Sequence, residues 1–438
     1  MTGEDAAPAL PRAVEVAVIG GGIAGVSTAY FLAKAGVPVA LFEKGRIAGE
    51  QSSRNWGWVR KQRRDPAELP AMIEGARIWQ GLEQEIGADI GWHQGGVAHF
   101  ATTEADLDKY ESWLEHARPY QLDSRLLSAR ETDELVGQSE RRWKGALYTA
   151  SDGRAEPAKA APAIAQAAER LGAHIVAGCA VRTVESAAGR VSGVVTERGR
   201  VACRAVVCAA GAWSSYFSRN LGVDFPQLGV RSSALRTTPA PLITQAGVWA
   251  GGCAIRRRQD GGYTISRGQG RFDIVPDAFR YLRPFLPGAM MSIGNVHIRF
   301  GARFFEQFAW PSRWGGEEAT VFERLRVLDP EPDHAVLAEG LANAKRQFPE
   351  LREAEIAESW AGMIEVTPDA LPVLDAAPSP EGYYVASGFS GHGFGFGPIA
   401  GLLIAELITK GRARVDMAPF RLSRFRDGSK IQPPYSPF

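Results

Sequence analysis

An α/β fold class follows from three stretches of this 438-residue sequence that alternate strand, glycine turn and helix. Residues 14–19 form an apolar run ending in Gly20-Gly21-Gly22-Ile23-Ala24-Gly25. An alanine-rich helical pattern follows to Ala35, and a second apolar run, 37–42, closes on Glu43. Residues 157–213 repeat the theme, with a helical pattern over 158–171 and short apolar strands near 175–176, 181–184, 191–195 and 205–208. The last stretch is a strand over 383–387, a glycine-rich turn, and a helix over 398–410 stopped by Gly411.

The first unit carries the most specific physics. Gly20 permits the tight turn out of the strand, Gly22 lets backbone amides approach a pyrophosphate, and Gly25 allows close helix–strand packing. A helix starting near Ile23 offers free N–H groups and a partial positive charge to phosphates. Glu43 stands 18 residues beyond Gly25, where a carboxylate accepts the ribose hydroxyls of an adenosine. Strand, turn, helix and terminal acid together predict a Rossmann dinucleotide site.

Between the three stretches lie regions richer in Trp, Phe and Arg. Asp260-Gly261-Gly262 there marks a hairpin, so an α+β domain built on antiparallel sheet is expected, inserted twice. The expected division is 13–91, 149–228 and 320–427 for the nucleotide domain and 92–148 with 229–319 for the second domain. Residues 428–438, with Pro433, Pro434 and Pro437, read as a tail or an extended strap.

Composition narrows the function. Fifty Lys and Arg against 49 Asp and Glu leave a net charge of +1, with no electrostatic case for nucleic acid or an anionic membrane. Four cysteines without a CxxC pair exclude a zinc or disulfide framework and suggest a reduced, cytoplasmic protein. Seven histidines show no metal spacing, and neither GxSxG nor HExxH occurs, so hydrolytic chemistry is not expected. Residues 1–12 lack the apolar run of a signal peptide, and 399–408, interrupted by Glu406, is too short to span a bilayer. No integral membrane segment is expected.

Three further motifs carry a resemblance. Residues 205–213 are an apolar strand entering an Ala-Gly turn, Ser52-Ser53-Arg54-Asn55 follows Glu43, and Gly388-Phe389-Ser390-Gly391-His392-Gly393-Phe394 opens the last helix. Together with the N-terminal glycines and residues 360–372, they resemble the D-amino acid oxidase/sarcosine oxidase (DAO) family of FAD-dependent oxidoreductases over most of the chain. The resemblance implies a glutathione-reductase-like FAD domain. Its expected FAD contacts are Gly20, Gly22, Ile23, Ala24, Gly25, Glu43, Lys44, Ser52, Ser53, Arg54, Asn55, Val181, Ala210, Gly211, Trp213, Gly362, Gly388, Ser390, Gly391, His392, Gly393 and Phe394. A helix N-terminus behind Gly388–Gly397 would stabilise negative charge over flavin N1 and the C2 carbonyl, as an oxyanion hole does. The implied reaction is oxidation of the C–N bond of an amino acid or secondary amine by hydride transfer to N5, giving an imine that hydrolyses. Oxidation of a 2-hydroxy acid or polyol, and a non-catalytic flavin subunit of a larger dehydrogenase, are the alternatives.

For the substrate, His392 is expected beside the ring, bonding flavin or substrate or merely capping a turn. Arg60 follows Trp56-Gly57-Trp58-Val59 and either forks a substrate carboxylate or joins Lys61, Arg63 and Arg64 in a solvated basic loop. Arg54 is expected on the pyrophosphate or ring and Tyr263 on a pocket-facing strand, and either one strand face carrying Arg256 with Arg258, or Arg257, floors the pocket or all three arginines lie at the surface. Three positions depart from the family. Gly362 stands where the FAD-tethering cysteine falls, Gly395 where a carboxylate-binding lysine falls, and Thr264 where the oxygen-activating lysine aligns. Non-covalent FAD, a substrate other than sarcosine, and turnover with a dye or quinone exceeding turnover with oxygen are the resulting expectations.

Overall fold

The computed structural model describes residues 9–137, 143–291 and 296–435. The first eight residues and the last three, Pro437 among them, lie outside the described residues, as do 138–142 and 292–295.

Val16–Ile19 is the centre of a six-stranded sheet, with Val39–Glu43 parallel on one side and Ala205–Cys208 parallel on the other. His174–Ala177 extends the first side, and Tyr383–Ser387 then antiparallel Val373–Ala376 extend the second. Strands covered on both faces read as unbroken apolar runs rather than alternations, which is why Val16–Ile19 and Ala205–Cys208 are buried at every residue. Helices Ile23–Lys34, Leu69–Ile86, Pro157–Arg170 and Gly393–Lys410 share a core with one face of this sheet. The other face is covered by antiparallel strands Val181–Ala187, Arg190–Thr196 and Gly199–Ala202 and an aromatic cluster around Trp213 and Phe322.

The last helix begins at Gly393, five residues earlier than its sequence pattern suggests, because the glycine-rich segment supplies the first helical turn. It is the one described helix long and apolar enough to cross a bilayer, and it is instead a core helix, buried through most of Phe394–Glu406. A β-carbon at Gly401 would lie 2.5 Å from the backbone of Ser27 and Thr28, so glycine lets two helices cross almost in contact.

The second sheet has ten strands, mostly antiparallel, and its hairpin pairs Arg257 with Tyr263 around Asp260–Gly262. Leu228–Thr237 is its hub, pairing along its length with Ile356–Val366. That strand, and helix His334–Gln347 packed on this sheet, belong by sequence to the 320–427 block; sheet membership therefore changes inside that block. Tail residues run as a strap: Pro434 is buried near Gly288, and Tyr435 meets His116 edge-on at 5.5 Å.

Candidate active site

One large cavity runs between the carboxyl ends of the central parallel strands and the paired strands Leu228–Thr237 and Ile356–Val366. Ligand clefts of open α/β sheets lie at this end, where strand order reverses.

At one end Glu43, Lys44, Val181, Ala210, Gly211 and Trp213 line the wall. The Glu43 carboxylate accepts the Gly21 and Gly45 N–H groups, each at 2.7 Å. Burial raises its pKa while those two N–H groups pull it down. Lys44 Nζ lies 2.7 Å from Glu50 and 4.8 Å above the Trp213 ring.

Midway, Gly20, Gly22, Ile23, Ala24, Ser52, Arg54 and Asn55 line the cavity. Gly20 has φ +108°, and a β-carbon there would sit 2.4 Å from the Ala209 carbonyl oxygen. Gly25 lies outside the lining as a packing glycine, its missing β-carbon only 2.0 Å from the Gly20 oxygen. Ser52 Oγ accepts the Ile23 N–H at 2.8 Å, whereas Ser53 turns away and donates to Glu50 O at 3.2 Å. Arg54 is a brace: it donates to Ala361 O at 2.8 Å and Gly49 O at 3.1 Å and pairs with Asp329.

At the far end Gly362, Ser390, Gly391, His392, Gly393, Phe394 and Gly395 line the cavity, while Gly388 stands behind it against Thr367. Helix N-termini thus open on the cavity at both Ile23 and Gly393. Arg64, which lines this end, has a buried Nη1 that forms no hydrogen bond among the described residues, while His392 Nδ1 has only a long contact to Glu68, described below. Two helix N-termini, an acid at the end of the second strand and an unpartnered guanidinium nitrogen on Arg64 at the far end fit FAD. All four cysteines are buried and free, and none is among the residues lining the cavity. The flavin should therefore leave the protein on acid precipitation. Fluorescence persisting on the protein band after denaturing electrophoresis would overturn that.

The basic loop is not solvated. Asp152 is 1% exposed and accepts the Lys61 and Gln62 N–H groups at 2.8 and 3.1 Å. Gln62 is buried, donating to Val97 O and Leu147 O at 2.9 and 3.1 Å. With the loop held at both points, Arg60 and Arg64 face the cavity, and Arg64 is 2% exposed. Arg60 Nη1 donates to the Gln62 carbonyl. Arg64 Nε donates to the Arg60 carbonyl at 3.1 Å, leaving Nη1 free. Burial lowers the pKa of both arginines, and for Arg60 the neighbouring Arg64 and Arg63 lower it further.

Glu68, missed by sequence reasoning, is fully buried with neither oxygen hydrogen-bonded; one lies 3.3 Å from His392 Nδ1. Burial pushes the Glu68 pKa up, but His392, Arg64 and Arg60 outweigh it and the net shift is downward. Burial and the Arg64 charge bring His392 to about 4 despite Glu68, so the imidazole is neutral near pH 7. Among the four groups Arg60, Arg64, Glu68 and His392, the guanidiniums outnumber the carboxylate. At Gly395, where the resemblance places a lysine, a β-carbon would stand 3.3 Å from the Trp58 carbonyl oxygen and 3.7 Å from Arg64 Nη2.

Other sequence expectations require correction. Tyr263 is fully buried away from the cavity, donating to Pro241 O at 2.9 Å and accepting the Ile243 N–H at 2.8 Å, so its hydroxyl is spent in the core. Arg256 is not at the surface: it is 1% exposed and paired with Glu156 at 2.8 Å, behind Gly57. Arg257 is half-buried over the Tyr263 ring at 5.1 Å, and Arg258 pairs with Asp260 at 2.9 Å. Thr264 is likewise outside the cavity lining, accepting from Arg256 and Arg258 at 3.3 Å each.

Glu365, also unmarked in the sequence, lines the cavity hydrogen-bonded to Gln51, and burial raises it from 4.5 to about 7. A raised carboxyl binds its proton more tightly folded than unfolded, so stability falls as pH rises from 4.5 to 7 and then levels off. The full loss is on the order of 3 kcal/mol. Glu365→Gln should flatten this slope in thermal melts of the FAD-bound protein between pH 5 and 8; an unaltered slope would refute it.

A family model for FAD dependent oxidoreductases (DAO) matches residues 15–407, and the chain belongs to that family. It is a flavoprotein oxidoreductase with FAD as cofactor. Among solved structures it is similar to the L-amino acid deaminase of Proteus myxofaciens in complex with anthranilate: TM-score 0.92, 29% identity, covering 97% of this chain and 96% of that one. Glycine oxidase of Geobacillus kaustophilus is 27% identical over 423 residues, 94% of this chain and 97% of that protein. Mitochondrial sarcosine dehydrogenase of Mus musculus is 28% identical over 424 residues, 95% of this chain but 42% of that protein. The chain thus spans under half the length of that dehydrogenase.

Proposed function

We propose that this protein oxidises the C–N bond of an amino acid, or of an N-substituted amino acid, whose carboxylate is held by Arg60 and Arg64. The observation carrying this reading is a pair of arginines facing one end of the cavity beside His392, Arg64 buried and Arg60 half-buried. When bound, FAD supplies the hydride acceptor at N5. The guanidiniums fix the carboxylate and so set the α-carbon over the ring. Neutral His392 adds no further positive charge beside a substrate amine, and Glu68, 3.3 Å away, orients the imidazole. Trp56 and Trp58 line the cavity next to this end, edge-to-face at 5.3 Å, and give the substrate side chain an apolar aromatic wall. An apolar or aromatic amino acid is the substrate class this wall suits. The four free buried cysteines suit a reducing, cytoplasmic location.

Anaerobic mixing with a panel of amino acids, N-methyl amino acids and 2-hydroxy acids tests the reading. Flavin bleaching with release of ammonia or an amine supports it. Bleaching by 2-hydroxy acids alone would favour C–O oxidation, and no bleaching a non-catalytic flavin subunit.

Because Lys44, at the end away from His392, is the only lysine among the described residues lining the cavity, and the two arginines serve the substrate carboxylate, a dye or quinone should be a better electron acceptor than oxygen. Stopped-flow reoxidation in air-saturated buffer as fast as turnover would refute this. Thr264→Lys, the change suggested by alignment, should not speed reoxidation, because the new ammonium would meet Arg256 and Arg258 rather than the cavity.

A further inference from the structure

A soluble amphipathic helix turns its apolar stripe toward the core. Residues 276–308 do the reverse. Helices Pro276–Arg280 and Leu282–Met291 place Phe279, Leu282, Leu286 and Met290 three or four residues apart, the spacing of a single stripe, and all four are exposed. Strand Val296–Arg299 and the residue after it show Ile298 and Phe300 at period two, with Ile298 71% exposed. Helix Ala302–Phe308 adds Phe305 and Phe308 at 63% and 72% exposure. The phenylalanines touch one another: Phe279 with Phe304 at 6.1 Å, Phe300 with Phe304 at 5.1 Å, and Phe304 with Phe308 at 6.1 Å. Phe279 links the helical stripe to the phenylalanine cluster, and exposed apolar side chains gathered in this way mark an interaction surface rather than the scattered apolar residues usual on a monomer.

The charges around this face have one sign to spare. Its acids are already engaged, Asp277 with Arg219 at 2.6 Å and Asp273 and Glu306 facing Arg303. Arg283 and Arg299 are exposed and carry no ion pair among the described residues. A near-zero net charge conceals this cationic margin.

We propose that this face seats on a phospholipid bilayer containing anionic lipid. The phenylalanines and leucines would enter the headgroup–acyl boundary, and Arg283, together with Arg299 from the opposite face of this edge strand, would contact anionic headgroups. A second copy fits less well, because a two-fold contact would bring the same unpaired arginines toward each other. Val296, on the same strand as Ile298, lines the FAD cavity, so the membrane-facing element is also a wall of the site.

Flotation of the FAD-bound full chain with phosphatidylcholine vesicles, with or without 30 mol% phosphatidylglycerol, tests this without reference to the reaction. At about 0.1 M salt, binding should be roughly tenfold stronger with phosphatidylglycerol and decline as salt rises. F305S/F308S and R283E/R299E should each reduce binding roughly tenfold while retaining FAD absorbance and melting temperature. No flotation with anionic vesicles, or F305S/F308S floating like the parent, would overturn the proposal. So would a concentration-dependent dimer in vesicle-free buffer that F305S/F308S abolishes, since the occupant would then be a second copy.

Discussion

A Gly22→Val protein is expected to fold but to purify colourless. A β-carbon at Gly22 would stand 3.2 Å from Ser52 Oγ, the atom that accepts the Ile23 N–H at the helix start. Valine's two further carbons would occupy the cavity where backbone amides must approach the pyrophosphate. FAD affinity should drop by at least about 100-fold, roughly 3 kcal/mol. Far-UV circular dichroism should stay near the parent, because Gly22 is an extended N-cap outside the helix proper. Stoichiometric 450 nm absorbance in this variant would mean that the nucleotide lies elsewhere.

Arg64→Ala should retain FAD and lose most of its activity on a carboxylated substrate. Truncating one side of a charged, buried contact costs roughly 2–4 kcal/mol in kcat/KM, or about 30- to 1,000-fold. Arg60→Ala should behave similarly, with KM rising more than kcat falls in each. Since both guanidiniums serve one carboxylate, the double variant should lose less than the sum of the two. Lysine should rescue either position poorly, because it lacks the planar fork. Unchanged kinetics in Arg64→Ala would remove it from the substrate site and leave Arg60 as the single anchor.

Motifs that are contiguous in the chain were legible in the sequence. Gly20 to Gly25 and Glu43 lie within one strand–helix–strand unit, so their spacing already encodes their geometry. The Ala210–Trp213 turn and the Ser390–Phe394 helix start each bring their own strand or helix with them. Substrate-end residues were legible only in part. Arg64 reads as one basic residue among several, and what buries it is Asp152, about ninety positions away, holding the loop backbone. No local pattern marks Glu68 as the neighbour of His392, since they belong to different helices that meet only when packed.

The strand positions show the same division from the other side. Alternation correctly places Tyr263 and Thr264 on opposite faces of a hairpin, yet neither lines the cavity. Period two tells which residues share a face, not what that face meets, and here the sheet meets the core on one side and the Arg256–Glu156 pair on the other. The net charge of +1 likewise says nothing of where charges gather.

By itself, then, the sequence determined the α/β class, FAD as the cofactor and the lack of a thiol at position 362, because each depends on residues close in the chain or on a single residue type. Only the tertiary structure decided that Arg64 joins Arg60, that Tyr263 is core, and that a stripe of phenylalanines faces outward. Burial and charge balance are properties of contacts between distant segments, and those exist only once the two sheets have closed on each other.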